Sequence, residues 1–110
     1  MNAPAPRSED CASDEPQFRE GAVVRTLAIC NRKGLHARAS AKFAQTVEKF
    51  DAEVRVMRCG ETVGGTSIMG LMMLAAAPGT SITLEATGKA AAEVIDALTA
   101  LINSRFGEDD

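Results

Sequence analysis

His36 is the only histidine in the 110 residues, and it stands in the stretch Gly34-Leu35-His36-Ala37-Arg38-Ala39-Ser40. An imidazole nitrogen that keeps its lone pair is a nucleophile. An arginine two positions later offers a planar fork of N–H donors to the oxygens of an anion, and Arg32 and Lys33 add positive charge just upstream. The residue types suit nucleophilic attack on a group that carries negative oxygens. A metal site does not fit, because there is no second histidine and no cysteine nearby in sequence. A Ser-His-Asp arrangement is open on composition, but no nucleophile-elbow pattern is present. On position alone, a lone histidine beside a turn is more often an ordinary surface or capping residue.

The surrounding elements sharpen the choice. Residues 22–31 are apolar and β-branched and run into the polar turn Asn31-Arg32-Lys33-Gly34, which reads as a strand and its exit. From Ala37 to Phe50 the apolar positions Ala39, Phe43, Val47 and Phe50 recur at helical spacing, with Lys42, Gln45, Glu48 and Lys49 on the other side. His36 therefore falls at a helix N-terminus, where unpaired N–H groups point outward and the helix dipole is positive. That is a poor setting for a cation and a good one for an anion. A phosphoryl group on the ring would meet the helix N–H groups and Arg38.

The rest of the chain supplies the frame. Residues 51–58 alternate around Val54 and Val56, and Cys59-Gly60 turns into a short strand at 61–63. Gly64-Gly65-Thr66-Ser67 interrupts the chain, and Thr66 and Ser67 are good N-caps for a short helix from Ile68 to Leu74. Residues 81–87 place Ile82, Leu84 and Ala86 on one face and Thr83, Glu85 and Thr87 on the other. From Lys89 to Arg105, Val94, Ile95, Leu98, Leu101 and Ile102 form one stripe. The order β-α-β-β-α-β-α, with one apolar face per element, predicts an α+β domain whose helices cover one side of a four-stranded sheet. The hairpin argues for antiparallel or mixed pairing.

The totals narrow the class further. Hydrophobic residues make up 45% of the chain, but the only aromatics are four phenylalanines, so the core must be aliphatic. The formal net charge of -3 argues against nucleic acid or an anionic membrane as partner. Residues 1–20 carry Glu9, Asp10, Asp14, Glu15 and Glu20 against two arginines, with Phe18 the only large apolar side chain, and read as a disordered acidic extension. Residues 21–107 form the domain, and 108–110 an acidic tail. Cys11, Cys30 and Cys59 have no metal spacing and are expected as reduced thiols. With no apolar leader and no run of membrane-spanning length, the expected location is the cytoplasm.

These motifs together resemble HPr, the histidine-containing phosphocarrier of the bacterial phosphotransferase system. The His-x-Arg pair alone is a weak signature. Thirty-one positions after His36 comes Ser67-Ile68-Met69-Gly70-Leu71-Met72, and the two together are specific. The resemblance covers about Val23 to Arg105. It implies an open-faced β-sandwich, three helices on a four-stranded antiparallel sheet. It also implies that His36 takes a phosphoryl group on Nδ1 from phospho-Enzyme I and passes it to Enzyme IIA proteins, and that Arg38 contacts the phosphate. Ser67 matches the serine phosphorylated by an HPr kinase/phosphorylase in regulated members. The carrier is stoichiometric, monomeric and without cofactor, and serves sugar uptake or, as the His-Ala-Arg-Ala-Ser form suggests, nitrogen-related signalling. Where many relatives have proline after the arginine, this chain has Ala39, which leaves the helix start less pre-set.

The short helix has its own reading. Leu71 and Leu74 suit the core, whereas Ile68, Met69 and Met72 cannot also be buried and form an apolar patch of the kind that binds partners. A rival of another class is a small α+β regulatory domain binding a ligand or RNA. Against it, no strand carries an aromatic residue on which a base could stack.

Overall fold

The computed structural model describes residues 18–108. Four strands, β1 (Val23–Ala28), β2 (Glu53–Arg58), β3 (Glu61–Gly64) and β4 (Ser81–Thr87), form one sheet in the order β1-β4-β2-β3. Every pairing is antiparallel, and the register sets Leu84 opposite Arg25 on one side and Val56 on the other. Three helices, α1 (Ala37–Glu48), α2 (Ile68–Met73) and α3 (Ala91–Asn103), complete the open-faced sandwich. The fold class and element order read from the sequence are those observed.

Period-two alternation puts Val54, Val56, Ile82, Leu84 and Ala86 under the helices, where they meet Phe43 and Val47 of α1, Leu71 of α2, and Val94, Ile95, Leu98 and Ile102 of α3. The core is aliphatic apart from Phe43 and Phe106. The β2–β3 hairpin closes through Cys59 and Gly60, both at positive φ (55° and 80°), as a two-residue turn between twisted strands requires. Cys30 is free and exposed. Cys59 is held in a disulfide, which corrects the expectation of reduced thiols at that position.

Two features depart from the sequence reading. α3 stops at Asn103, and Arg105, Phe106 and Gly107 then take positive φ values of 58°, 57° and 73°, reversing the chain. The reason is Phe106. It lies beyond the apolar stripe of α3, yet it is buried to 1% exposure, and only a sharp turn delivers it to the core. The second feature is Glu85. It sits on the open face as alternation demands, but its side chain is 0% exposed. Arg55, its cross-strand neighbour, donates from Nε to one carboxylate oxygen, and the backbone N–H of Arg19 donates to the other. Arg19 also reaches Glu53 at 3.1 Å. The expected loose extension thus has an engaged edge at Arg19. Its residues 1–17 lie outside the described part, as do 109–110 of the expected tail.

The Glu85 clamp gives a pH prediction. The Arg55 hydrogen bond outweighs the opposing cost of burial and, with the Arg19 N–H, brings the Glu85 carboxyl from an ordinary 4.5 down to about 2. The native pairing therefore contributes fully above pH 4.5. It is lost as pH falls toward 2, because the unfolded chain takes up the proton first. Urea unfolding over this range should show an acid-side loss of up to roughly 1.4 kcal/mol per pH unit from this group. Glu85→Gln should flatten that limb and lower stability at neutral pH. A parent-like acid slope in the variant would assign the loss to other carboxylates.

Candidate functional site

The site begins where β1 gives way to a tight turn. Asn31 is completely buried, and its side-chain amide donates to the Gly34 carbonyl at 2.9 Å while its backbone carbonyl accepts from the Gly34 N–H at 3.2 Å. Gly34 has φ 63°, and a Cβ there would stand 2.2 Å from the Ala76 carbonyl oxygen. No other residue fits both demands. Immediately after, the Leu35 N–H donates to that same Ala76 oxygen at 3.0 Å, and the Leu35 side chain is buried. The loop is thereby hung on the connection between α2 and β4.

His36 is then the N-cap of α1, with extended backbone (φ -76°, ψ -177°). Its Nδ1 accepts from the Arg38 backbone N–H at 3.2 Å, the contact a serine or asparagine cap ordinarily makes. The first intrahelical bond runs from the Ser40 N–H to the His36 carbonyl at 2.8 Å, so the N–H groups of Ala37 and Ala39 precede it. Ser40 is buried and returns its hydroxyl to the Leu35 carbonyl at 3.2 Å. That bond fixes the helix start from below without a proline at position 39.

An acceptor at Nδ1 places the proton of the neutral ring on Nε2. There it meets the Glu108 carboxylate, and the other Glu108 oxygen accepts from the Asn31 amide at 3.1 Å. The His36 side chain is 26% exposed, enough for a partner to reach it. Around it opens a hollow of about 750 Å³ lined by Lys33, His36, Ala37, Arg38, Lys42, Gly107 and Glu108. Arg38 is exposed on its rim. The Lys42 ammonium donates to the Phe106 carbonyl and ties α1 to the C-terminal turn. Sequence reading found His36 and Arg38 but set Glu108 aside as tail and gave Asn31 no role. The available signal was Phe106, since a phenylalanine just past an amphipathic helix must bury and brings the next residues back with it.

Ser67 caps α2, its Oγ accepting from the Gly70 N–H at 3.0 Å. Leu71 and Leu74 are buried, while Ile68, Met69 and Met72 are exposed, as the short helix required. Met73, at 71% exposure, extends the patch and was not foreseen. Among the described residues no cluster of potential metal ligands occurs, and no helix is long and apolar enough to cross a membrane.

Fold and site together define an antiparallel open-faced α+β sandwich whose first helix is capped by the chain's single histidine, its Nδ1 accepting from the Arg38 N–H. The family model described as "PTS HPr component phosphorylation site" matches residues 23–104. The chain belongs to the HPr family of the phosphotransferase system. It is 55% identical over 88 residues to a phosphocarrier protein HPr of Neisseria meningitidis serogroup A, covering 80% of this chain and 99% of that one. It is 39% identical over 86 residues to a phosphocarrier protein NPr of Shewanella violacea, covering 78% of this chain and 94% of the relative. Among solved structures, an HPr from Thermoanaerobacter tengcongensis superposes with a TM-score of 0.76 at 41% identity, covering 80% of this chain and 99% of that one.

Proposed function

We propose that His36 accepts a phosphoryl group on Nδ1 from phospho-Enzyme I and passes it to Enzyme IIA proteins, the chain acting as a stoichiometric monomeric carrier and not as an enzyme. The observation that carries this reading is the Arg38 N–H pointing at Nδ1. Once the phosphoryl group occupies that nitrogen, its oxygens lie where the N–H groups of Ala37, Arg38 and Ala39 converge, and an anion there is favoured by the helix end. The Arg38 guanidinium supplies paired donors to the same oxygens. Against the RNA-binding alternative, the described strand residues of the open sheet face include Val24, Thr26, Thr83 and the clamped Glu85, and none of these is aromatic. Incubation with Enzyme I and phosphoenolpyruvate should give one acid-labile phosphate per chain, located on His36 by mass spectrometry. Absence of that adduct would overturn the reading.

Ser67 is the proposed regulatory site, and Ile68, Met69 and Met72 the proposed docking patch. A charge on Ser67 is tolerated by the start of α2 but must be desolvated when a partner face covers the neighbouring apolar side chains. Ser67→Asp should therefore raise KM for phosphorylation by Enzyme I severalfold at unchanged melting temperature, and phosphoserine should act more strongly. Unchanged kinetics would leave Ser67 as an N-cap only.

A further inference from the structure

We propose that the open face of the sheet is a docking surface for the chain's own N-terminal extension. The segment 11–17 lies along β2 over Met57, fastened at one end by Arg19 and at the other by a disulfide between Cys11 and Cys59.

The first observation is a burial that the domain does not account for. Helices back one face of an antiparallel sheet, and water meets the other. Residues directly opposite each other on neighbouring strands share a face. Met57 stands opposite Thr83 on β4 and Thr62 on β3, so it belongs to the open side, with Arg55 and Glu85 in the row two residues away. It is nevertheless only 6% exposed, and it is no member of the core cluster under the helices. Thr62 and Thr83 are too short to roof a methionine, and Arg55 is turned to Glu85. Glu85 is completely buried on the same side.

The cover arrives from the N-terminal direction. Arg19 lies on this face, its backbone N–H donating to one Glu85 oxygen and its guanidinium to the other at 3.4 Å and to Glu53 at 3.1 Å. A turn closed by the Ala22 N–H on the Arg19 carbonyl then leads into β1. The opposite end is set by sulfur. Cys59 stands exposed in the hairpin turn beyond the end of β2 and is disulfide-bonded, whereas Cys30 is free. The chain has three cysteines, so within it only Cys11 is left to pair with Cys59.

The reach agrees. The row of Arg55 and Glu85 is separated from Cys59 by about 13 Å of antiparallel strand. The segment from Cys11 to Arg19 spans up to about 26 Å when extended. It covers the distance with slack, and the direct path between its two anchors crosses Met57. Forming the bond removes one proton and one electron from each thiol. A small-molecule disulfide such as oxidised glutathione accepts both electrons and both protons and leaves as two thiols. The fastened segment is therefore the oxidised form of the chain, and a thiol reductant frees its Cys11 end.

The test uses the full chain after incubation with oxidised glutathione. Digestion without reduction, followed by mass spectrometry, should give the Cys11 and Cys59 peptides joined, with Cys30 linked to neither. Peroxide should then oxidise Met57 about tenfold more slowly than Met69 and Met73, which are 70% and 71% exposed. Two variants cut the same bond from opposite ends, so that a local defect in one does not decide the result. They are Cys11→Ser and Cys59→Asn, the latter because asparagine tolerates the φ of 55° at that turn. In both, oxidation of Met57 should rise severalfold while Met69 and Met73 keep their parent rates. An unlinked Cys59, or a Cys59–Cys59 link between two copies, would overturn the pairing. Met57 reacting as fast as Met69 in the parent, or equally slowly in all three proteins, would overturn the docking.

Discussion

His36→Ala is expected to lose phosphoryl acceptance entirely and to keep its fold. Nδ1 is the only imidazole nucleophile in the chain, so no neighbour can substitute for it. The side chain gives up the hydrogen bond from the Arg38 N–H and the contact with the Glu108 carboxylate, so the stability cost is at least that of an N-cap, about 0.5–2 kcal/mol. A second variant separates the two roles. His36→Asn restores a side-chain acceptor for the first turn, so its melting temperature should return close to that of the parent while the adduct stays absent. Phosphate incorporation in either protein would place the acceptor elsewhere, and a collapsed circular dichroism spectrum in both would make His36 a structural residue.

Gly34→Ala should lower stability sharply and should slow transfer with His36 untouched. The new Cβ would sit 2.2 Å from a backbone oxygen, at a φ of 63° that non-glycine residues adopt only at a cost. The turn must open, and in opening it gives up the Leu35 N–H bond to Ala76 and disturbs the seat of the buried Leu35 side chain. Strain and lost contacts of this kind amount to about 1–3 kcal/mol. Chemical denaturation measures the first effect and single-turnover phosphorylation the second. A variant with parent stability would show that the Ala76 connection yields freely.

Much of this could be read from the residues, for reasons that differ from place to place. β4 matched residue for residue because strict alternation in a central strand leaves one solution. α1 and the His36 cap were legible because a four-residue apolar period starts directly after a glycine turn. Arg38 and Ser67 came from motif spacing, while the patch at Ile68, Met69 and Met72 came from the arithmetic of a helix too short to bury every side. What stayed hidden depends on long-range meetings. Glu85 alternates like an exposed residue, and only the cross-strand arrival of Arg55 and the approach of Arg19 explain its burial. Glu108 lies 72 positions from His36, and no local pattern announces that pairing. Cys59 fits a tight turn on any reading, but its disulfide does not follow from the spacing of the cysteines.

The bond from Leu35 to Ala76 has a consequence for how the gene can vary. Substitutions at the exposed Ala77 and Pro78 can be absorbed there, since what Leu35 meets is a carbonyl and not a side chain, whereas Ala76 is buried in the core and Gly79 stands at φ 90°. Deletions and insertions cannot. Removing one codon would draw that carbonyl along the chain by about 3.3 Å, roughly a whole hydrogen-bond length, and the shelf under Gly34 and Leu35 would be gone. The number of residues in the α2–β4 connection is thus tied to the seat of a histidine forty residues upstream. Length there should be held constant even where the letters drift.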